Sequence, residues 1–185
     1  MPRRRSVVPT EYDILPVTVP EGSDVVGMYL LNEGNMGSNK CTLDYLDFVQ
    51  GYYVRNLYAE RNPHVIKELG DVGNDIRVYG SKLYVVVNCS NKMEVLDART
   101  GVRISQVDIP NCRYVNFYRG HAYVSSYVAR FSSTIPTPLR CGLQGGHAYA
   151  QGGGQMHRWL PAEELEVLGE YLYVANSGGH GAQLR

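Results

Sequence analysis

Little in this chain points outward. Across 185 residues, Lys+Arg and Asp+Glu both number 18, so the formal charge is zero. Without a basic surplus, nucleic acid is not an expected partner, and without an acidic tail neither is a strongly charged protein. No apolar run is long enough to cross a bilayer as a helix, so no transmembrane segment is expected. The opening Met1-Pro-Arg-Arg-Arg-Ser6 is basic, but the apolar core of a secretion signal does not follow it. Cys41, Cys89, Cys112 and Cys141 lack both the paired spacing of a zinc site and the density of a disulfide framework. They read as buried thiols. Helix-period patterns of any length are missing too, leaving at most one or two turns over 62–69, so the fold class is expected to be all-β. Phenylalanine is scarce, at three against fifteen tyrosines. Tyrosine suits a half-buried strand, where the ring packs and the hydroxyl reaches the wet edge. It also suits a surface that faces a carbohydrate or cofactor.

What is present is a repeated phrase. It runs Ile76-Arg-Val-Tyr-Gly-Ser-Lys-Leu-Tyr-Val-Val-Val-Asn88, then Val115-Asn-Phe-Tyr-Arg-Gly-His-Ala-Tyr-Val124, then Leu165-Glu-Val-Leu-Gly-Glu-Tyr-Leu-Tyr-Val-Ala-Asn176. A weaker copy is Gly27-Met-Tyr-Leu-Leu-Asn32. Tyr29, Tyr84, Tyr123 and Tyr173 therefore recur at intervals of roughly 40–55 residues, the period of propeller blades built from short strands. Within 75–109 four strands are expected, over 75–79, 82–88, 92–97 and 102–109, joined by tight turns. That is the material of one four-stranded antiparallel blade. Further strands are expected over 25–31, 41–48, 52–57, 111–118 and 122–127. Asp97 should shape the turn of its hairpin, and the repeat tyrosines should pack between blades.

The organisation is then a Pro-rich irregular arm over 1–24, blades over 25–129, a further strand within 162–179, and a tail over 180–185. Residues 130–161 break the pattern. They contain no Asp, Glu, Lys, Val or Asn, but carry Gly152-Gly-Gly154, His147, His157 and Trp159. Three readings stand: a Gly-rich insertion loop, a His-bearing ligand loop, or a segment translated out of frame. With suitably chosen codons, a shift of one nucleotide would turn 138–159 into two alternating strands around Asp-Thr, the blade material otherwise missing there.

Leu172-Tyr-Val-Ala-Asn-Ser-Gly-Gly179 and Leu83-Tyr-Val-Val-Val-Asn88 resemble the Tyr-Val-Thr-Asn repeat of YncE-like β-propellers. Gly27-Met-Tyr-Leu-Leu-Asn-Glu-Gly-Asn-Met-Gly-Ser38, followed by Gly70-Asp-Val-Gly-Asn-Asp75, is similar to the N-terminal part of YncE-like surface lipoproteins of Gram-negative gut bacteria. The resemblance covers roughly 25–129 and 162–179. It implies a seven-bladed propeller of which this chain carries about three to four blades, a truncated fragment with exposed blade edges prone to self-association. It also implies a place at the cell surface or in the periplasm, although no signal peptide is visible. Some members of that group capture cobalamin and hand it to an outer-membrane transporter.

Propellers bind with the loops of one face, so a site takes one contribution per blade just past the Tyr-Val strand. Those residues are Asn32 and Glu33, Asn88, Ser126 and Tyr127, and Asn176 and Ser177. The competing reading is that these Asn side chains only close turns. Asp71, Asn74 and Asp75 invite a calcium ion, with an Asx-turn between blades as the plainer account. His64 and His121 are isolated, and neither pairs with a nucleophile in a catalytic arrangement. The expected function is non-catalytic binding of a small molecule or glycan, with no catalytic residue, metal or resident cofactor. The alternative is a propeller enzyme of lactonase or quinoprotein-dehydrogenase type, which needs acidic ligands in the central channel.

Overall fold

The structure, a computed structural model, describes residues 12–14, 22, 24–65, 68–127 and 162–176. The Gly-rich segment 130–161 and the tail 180–185 lie outside the described residues. The chain is all-β with several antiparallel sheets. Strands β1 (Tyr12–Ile14), β2 (Gly27–Asn32), β3 (Thr42–Asp47) and β4 (Tyr52–Val54) form one sheet in the order β1-β4-β3-β2. Strands β5 (Gly73–Tyr79), β6 (Lys82–Val87), β7 (Lys92–Asp97) and β8 (Arg103–Asp108) form a second sheet in sequence order. Two hairpins follow, β9 (Cys112–Tyr118) with β10 (His121–Ser126), and β11 (Ala162–Leu168) with β12 (Tyr171–Asn176).

The second sheet is covered on both faces, which is why β6 is an unbroken apolar run rather than an alternating one. Leu83, Val85 and Val87 point towards the first sheet and join Cys41, Leu43, Tyr58, Leu69 and Leu96 in one core. Tyr84 and Val86 point the other way, into a core with Met93, Val95, Ile109, Val115, Ala122 and Val124. Sheets therefore stack face to face in chain order, and β5, β9 and β11, each the first strand of its hairpin, lie side by side as the inner edge of the stack.

The repeat is visible in the pairing register. Tyr84, Tyr123 and Tyr173 face Arg77, Asn116 and Glu166 across hairpins that each turn in two residues. Gly80 and Gly169 take φ 61° and 64° at the first turn position, the sign expected of a type II′ turn, whereas Arg119-Gly120 is positive at both, as in type I′. Between β3 and β4 and between β7 and β8 the same aspartate turn recurs. Asp47 Oδ1 accepts the Val49 and Gln50 N–H groups at 2.9 and 2.8 Å, and Asp97 Oδ1 accepts those of Arg99 and Thr100 at 3.0 and 2.9 Å. Counting from these turns, β2 matches β6, with Gly27 opposite Asp47 as Lys82 is opposite Asp97. Tyr29 thus occupies the position of Tyr84.

Two expectations change. Part of the N-terminal arm is a strand, because β1 pairs along the outer edge of β4 and satisfies backbone groups there. The short helix falls at α1 (Leu57–Arg61), ahead of the 62–69 expected. Asn56 adopts the left-handed φ 51°, ψ 45°, which ends the extended run after Val54, and burial of Leu57 and Tyr58 holds the turn in place.

Candidate functional site

Four of the residues singled out at the strand ends, Asn32, Asn88, Tyr127 and Asn176, fall into two registers. Asn32 and Asn176 match Val87, since these residues sit opposite Thr42, Ala162 and Gly73 or Lys92 in their sheets. Asn88 and Tyr127 are one position further on. Both donate their backbone N–H to the residue just before the inner strand, Asn88 to Val72 at 2.8 Å and Tyr127 to Asn111 at 3.2 Å. One position changes the face on which a side chain emerges, so the four do not converge as a set.

Their side chains are also engaged. Asn32 is half-buried, and its Nδ2 donates to Thr42 Oγ1 at 3.0 Å and Asp44 Oδ2 at 2.6 Å. Glu33 is exposed, and its carbonyl accepts the Gly73 N–H at 3.1 Å. Buried Asn88 donates through Nδ2 to the Cys112 carbonyl at 2.7 Å, fastening its own sheet to the next hairpin rather than closing its own turn. Tyr127 is exposed beneath the Arg113 guanidinium, 4.8 Å from its ring centre. The Asn176 side chain lies outside the described residues.

Asp71, Asn74 and Asp75 likewise go separate ways. Asp71 accepts the Gly37 and Asn39 N–H groups at 2.8 and 3.3 Å, Asn74 Nδ2 donates to the Arg113 carbonyl at 2.6 Å, and Asp75 accepts the Val115 N–H at 2.9 Å. All three tie one segment to another. Among the described residues there is no group of three or more His, Cys, Asp or Glu side chains placed to hold a metal ion.

A different set converges where the inner strands meet. Arg77 on β5 lies 3.7 Å from Asp75 and reaches across to Glu166 on β11, at 3.8 Å. On β9 between them, Asn116 donates to the Leu165 carbonyl at 3.2 Å. Burial raises the Asp75 carboxyl above its ordinary range, and the charge of Glu164 pushes the same way, against the Val115 N–H, Arg77 and the Ile76 N–H. This is a polar strip of carboxylates, one guanidinium and one amide along adjoining strands. Asp75 Oδ1 and Oδ2 accept the Ile76 and Val115 N–H groups, and Asn116 Oδ1 accepts the Phe117 N–H at 2.7 Å, so the groups that reach solvent are Arg77 and Glu166. Arg77, Asn116 and Glu166 are repeat-equivalent positions. Sequence reading missed it by looking past the Tyr-Val strand. The signal was the residue opposite each repeat tyrosine, legible once the two-residue turns are placed.

Two further carboxylates recur at one register. Asp44 on β3 matches Glu94 on β7, and both are buried. Asp44 accepts from Asn32, from the Asn56 N–H at 2.7 Å and from the Tyr53 hydroxyl. Glu94 is bound by Lys92 and Arg103, each at 2.7 Å. With every oxygen engaged, these groups hold strands together. No protein-family model matches the chain, and no curated protein matches it. Among the described residues no helix is long and apolar enough to cross a membrane.

Proposed function

We propose that this chain is part of a β-propeller whose inner strands bind a small polar molecule without transforming it. The observation that carries this reading is the convergence of Arg77, Asn116 and Glu166, repeat-equivalent positions on adjoining strands, with Asp75 beside Arg77. Face-to-face stacking of antiparallel sheets in chain order supports counting the sheets as successive blades. The ligand class that suits the resemblance to YncE-like surface lipoproteins is a corrinoid such as cobalamin, handed on to an outer-membrane transporter. A corrin rimmed with carboxamides offers donors to Glu166 and acceptors to Arg77. Cell-surface or periplasmic placement belongs to the same proposal.

Calorimetric titration of the chain with cyanocobalamin tests it. Saturable binding is expected, and Arg77→Ala should weaken it about tenfold or more, since a hydrogen bond to a charged group contributes about 1.5–3 kcal/mol. Asn88→Ala should leave the affinity within about twofold of wild type, because that amide is already engaged by the Cys112 carbonyl. Absence of binding by wild type, or equal binding by Arg77→Ala, would remove the reading.

A further inference from the structure

The polar row of Arg77, Asn116 and Glu166 has a second row beside it. Two residues further along the same strands stand Tyr79, Tyr118 and Leu168, each the last residue before its hairpin turn. Side chains two apart in a strand emerge on one face, about 7 Å from each other. The inner strands therefore carry a polar row and, alongside it nearer the turns, a largely aromatic one.

Tyr79 differs from the other two members of that row. Leu168 has no ring, and the Tyr118 ring is covered by the Arg119 guanidinium, 4.9 Å from its centre, which Glu170 holds at 3.2 Å. The Tyr79 ring lies flat on Phe117, with centres 4.6 Å apart and planes 7° from parallel. Its hydroxyl accepts the Gly120 N–H at 3.0 Å. The ring is thus fixed on one face and at its far end, yet 38% of the residue is exposed. With one face on Phe117, the open area lies on the other face and the edges. Tyr84 makes the contrast, since it packs on the same Phe117 and is 2% exposed. The next hairpin, β9–β10, already packs on Tyr79, so the open area is what remains once that junction is complete.

An aromatic ring held in this way loses little freedom when a flat group settles on it. Arg77, on the same face of β5, offers hydrogen-bond donors to the polar part of the same molecule. The pair suits a ligand with a flat ring and an acceptor roughly 7 Å apart. Resting on the corrinoid reading of this site, we propose that Tyr79 is a specificity-determining residue that stacks the benzimidazole base of cobalamin. Cobalamin carries that base on a nucleotide loop, whereas the carboxamide rim of its corrin has no aromatic face. Tyr79 therefore selects complete cobalamin over a corrinoid that lacks the base, while Arg77 and Glu166 hold the part common to both.

Calorimetric titration of the full chain with cyanocobalamin, and separately with dicyanocobinamide, which lacks the nucleotide loop, tests this role. Wild type should bind both, cyanocobalamin the more tightly. Tyr79→Leu should weaken cyanocobalamin about fivefold or more, the lower end of what base–aromatic stacking contributes, and leave dicyanocobinamide within about twofold. Tyr79→Phe, which keeps the ring, should lose less than Tyr79→Leu, and Arg77→Ala should weaken both ligands alike. If Tyr79→Leu loses its strand signal in circular dichroism, Tyr79→Thr replaces it. Equal loss of the two ligands in the ring-less variant, or no loss of either, overturns the role of Tyr79 and leaves the corrinoid site standing. A wild type that binds neither ligand removes the corrinoid site itself, and the stacking role with it.

Discussion

Asp97 carries a turn with one oxygen. Its Oδ1 accepts the Thr100 hydroxyl and the N–H groups of Thr100 and Arg99, and these bonds hold the carboxyl below its ordinary range. A carboxyl whose folded value is depressed adds stability above the unfolded value and loses it as pH falls through the folded one. Asp97→Ala should therefore lower the urea midpoint at neutral pH, and the gap from wild type should close on acidification below the ordinary carboxylate range. A gap that stays constant with pH would mean the loss is not electrostatic. This turn was legible from Leu96-Asp97-Ala-Arg-Thr-Gly101, because an aspartate that bonds its own backbone is a local device. The buried Glu94 was not legible. Lys92 and Glu94 alternate with Met93 and Val95 as solvent-facing residues would, and they are enclosed by side chains brought from elsewhere in the chain, Tyr58 and Arg103 among them.

At the scale of the element, identical phrases meet different neighbours. Tyr84 and Tyr173 occupy one position in matching hairpins, yet Tyr84 packs 4.6 Å from Phe117 while Tyr173 is exposed. Truncation should separate them. Tyr84→Ala is expected to cost about 3–5 kcal/mol, as for other large buried aromatic side chains. Tyr173→Ala should stay within about 0.5 kcal/mol, the range of surface changes, in dilute protein. Chemical unfolding of both variants at low concentration checks the contrast, and equal losses would contradict the stacking order. Some strand limits were readable, with β7 falling at Lys92–Asp97 as the alternation predicts, whereas the strand expected over 52–57 ends at Val54. The offset of Asn32 from Asn88 was not, because a one-residue shift leaves the sequence phrase almost unchanged and moves the side chain to the other face.

At the scale of the whole molecule, protection should follow the order of stacking. The sheet β5–β8 lies between two cores, whereas β11–β12 is covered on one face by β9–β10. Amide exchange followed by mass spectrometry should be slowest over β6 and β7 and faster over β12. Burial on both faces means those hydrogen bonds open only with the larger unit. Uniform exchange across the sheets would mean that they do not differ in cover. Cys41 belongs to the slow core too, where burial pushes its thiol up to about 12, so it should resist alkylation in the folded protein.

The sequence alone determined the class of this protein, its hairpins and its aspartate turns, because alternation, two-residue turns and Asx hydrogen bonding act over a few neighbouring residues. Only the tertiary structure decided which apolar faces are covered, which carboxylates are buried, and that Asp75, Arg77, Asn116 and Glu166 meet. Those outcomes depend on side chains far apart in the chain whose strands stack in a particular register, and no local pattern carries that register.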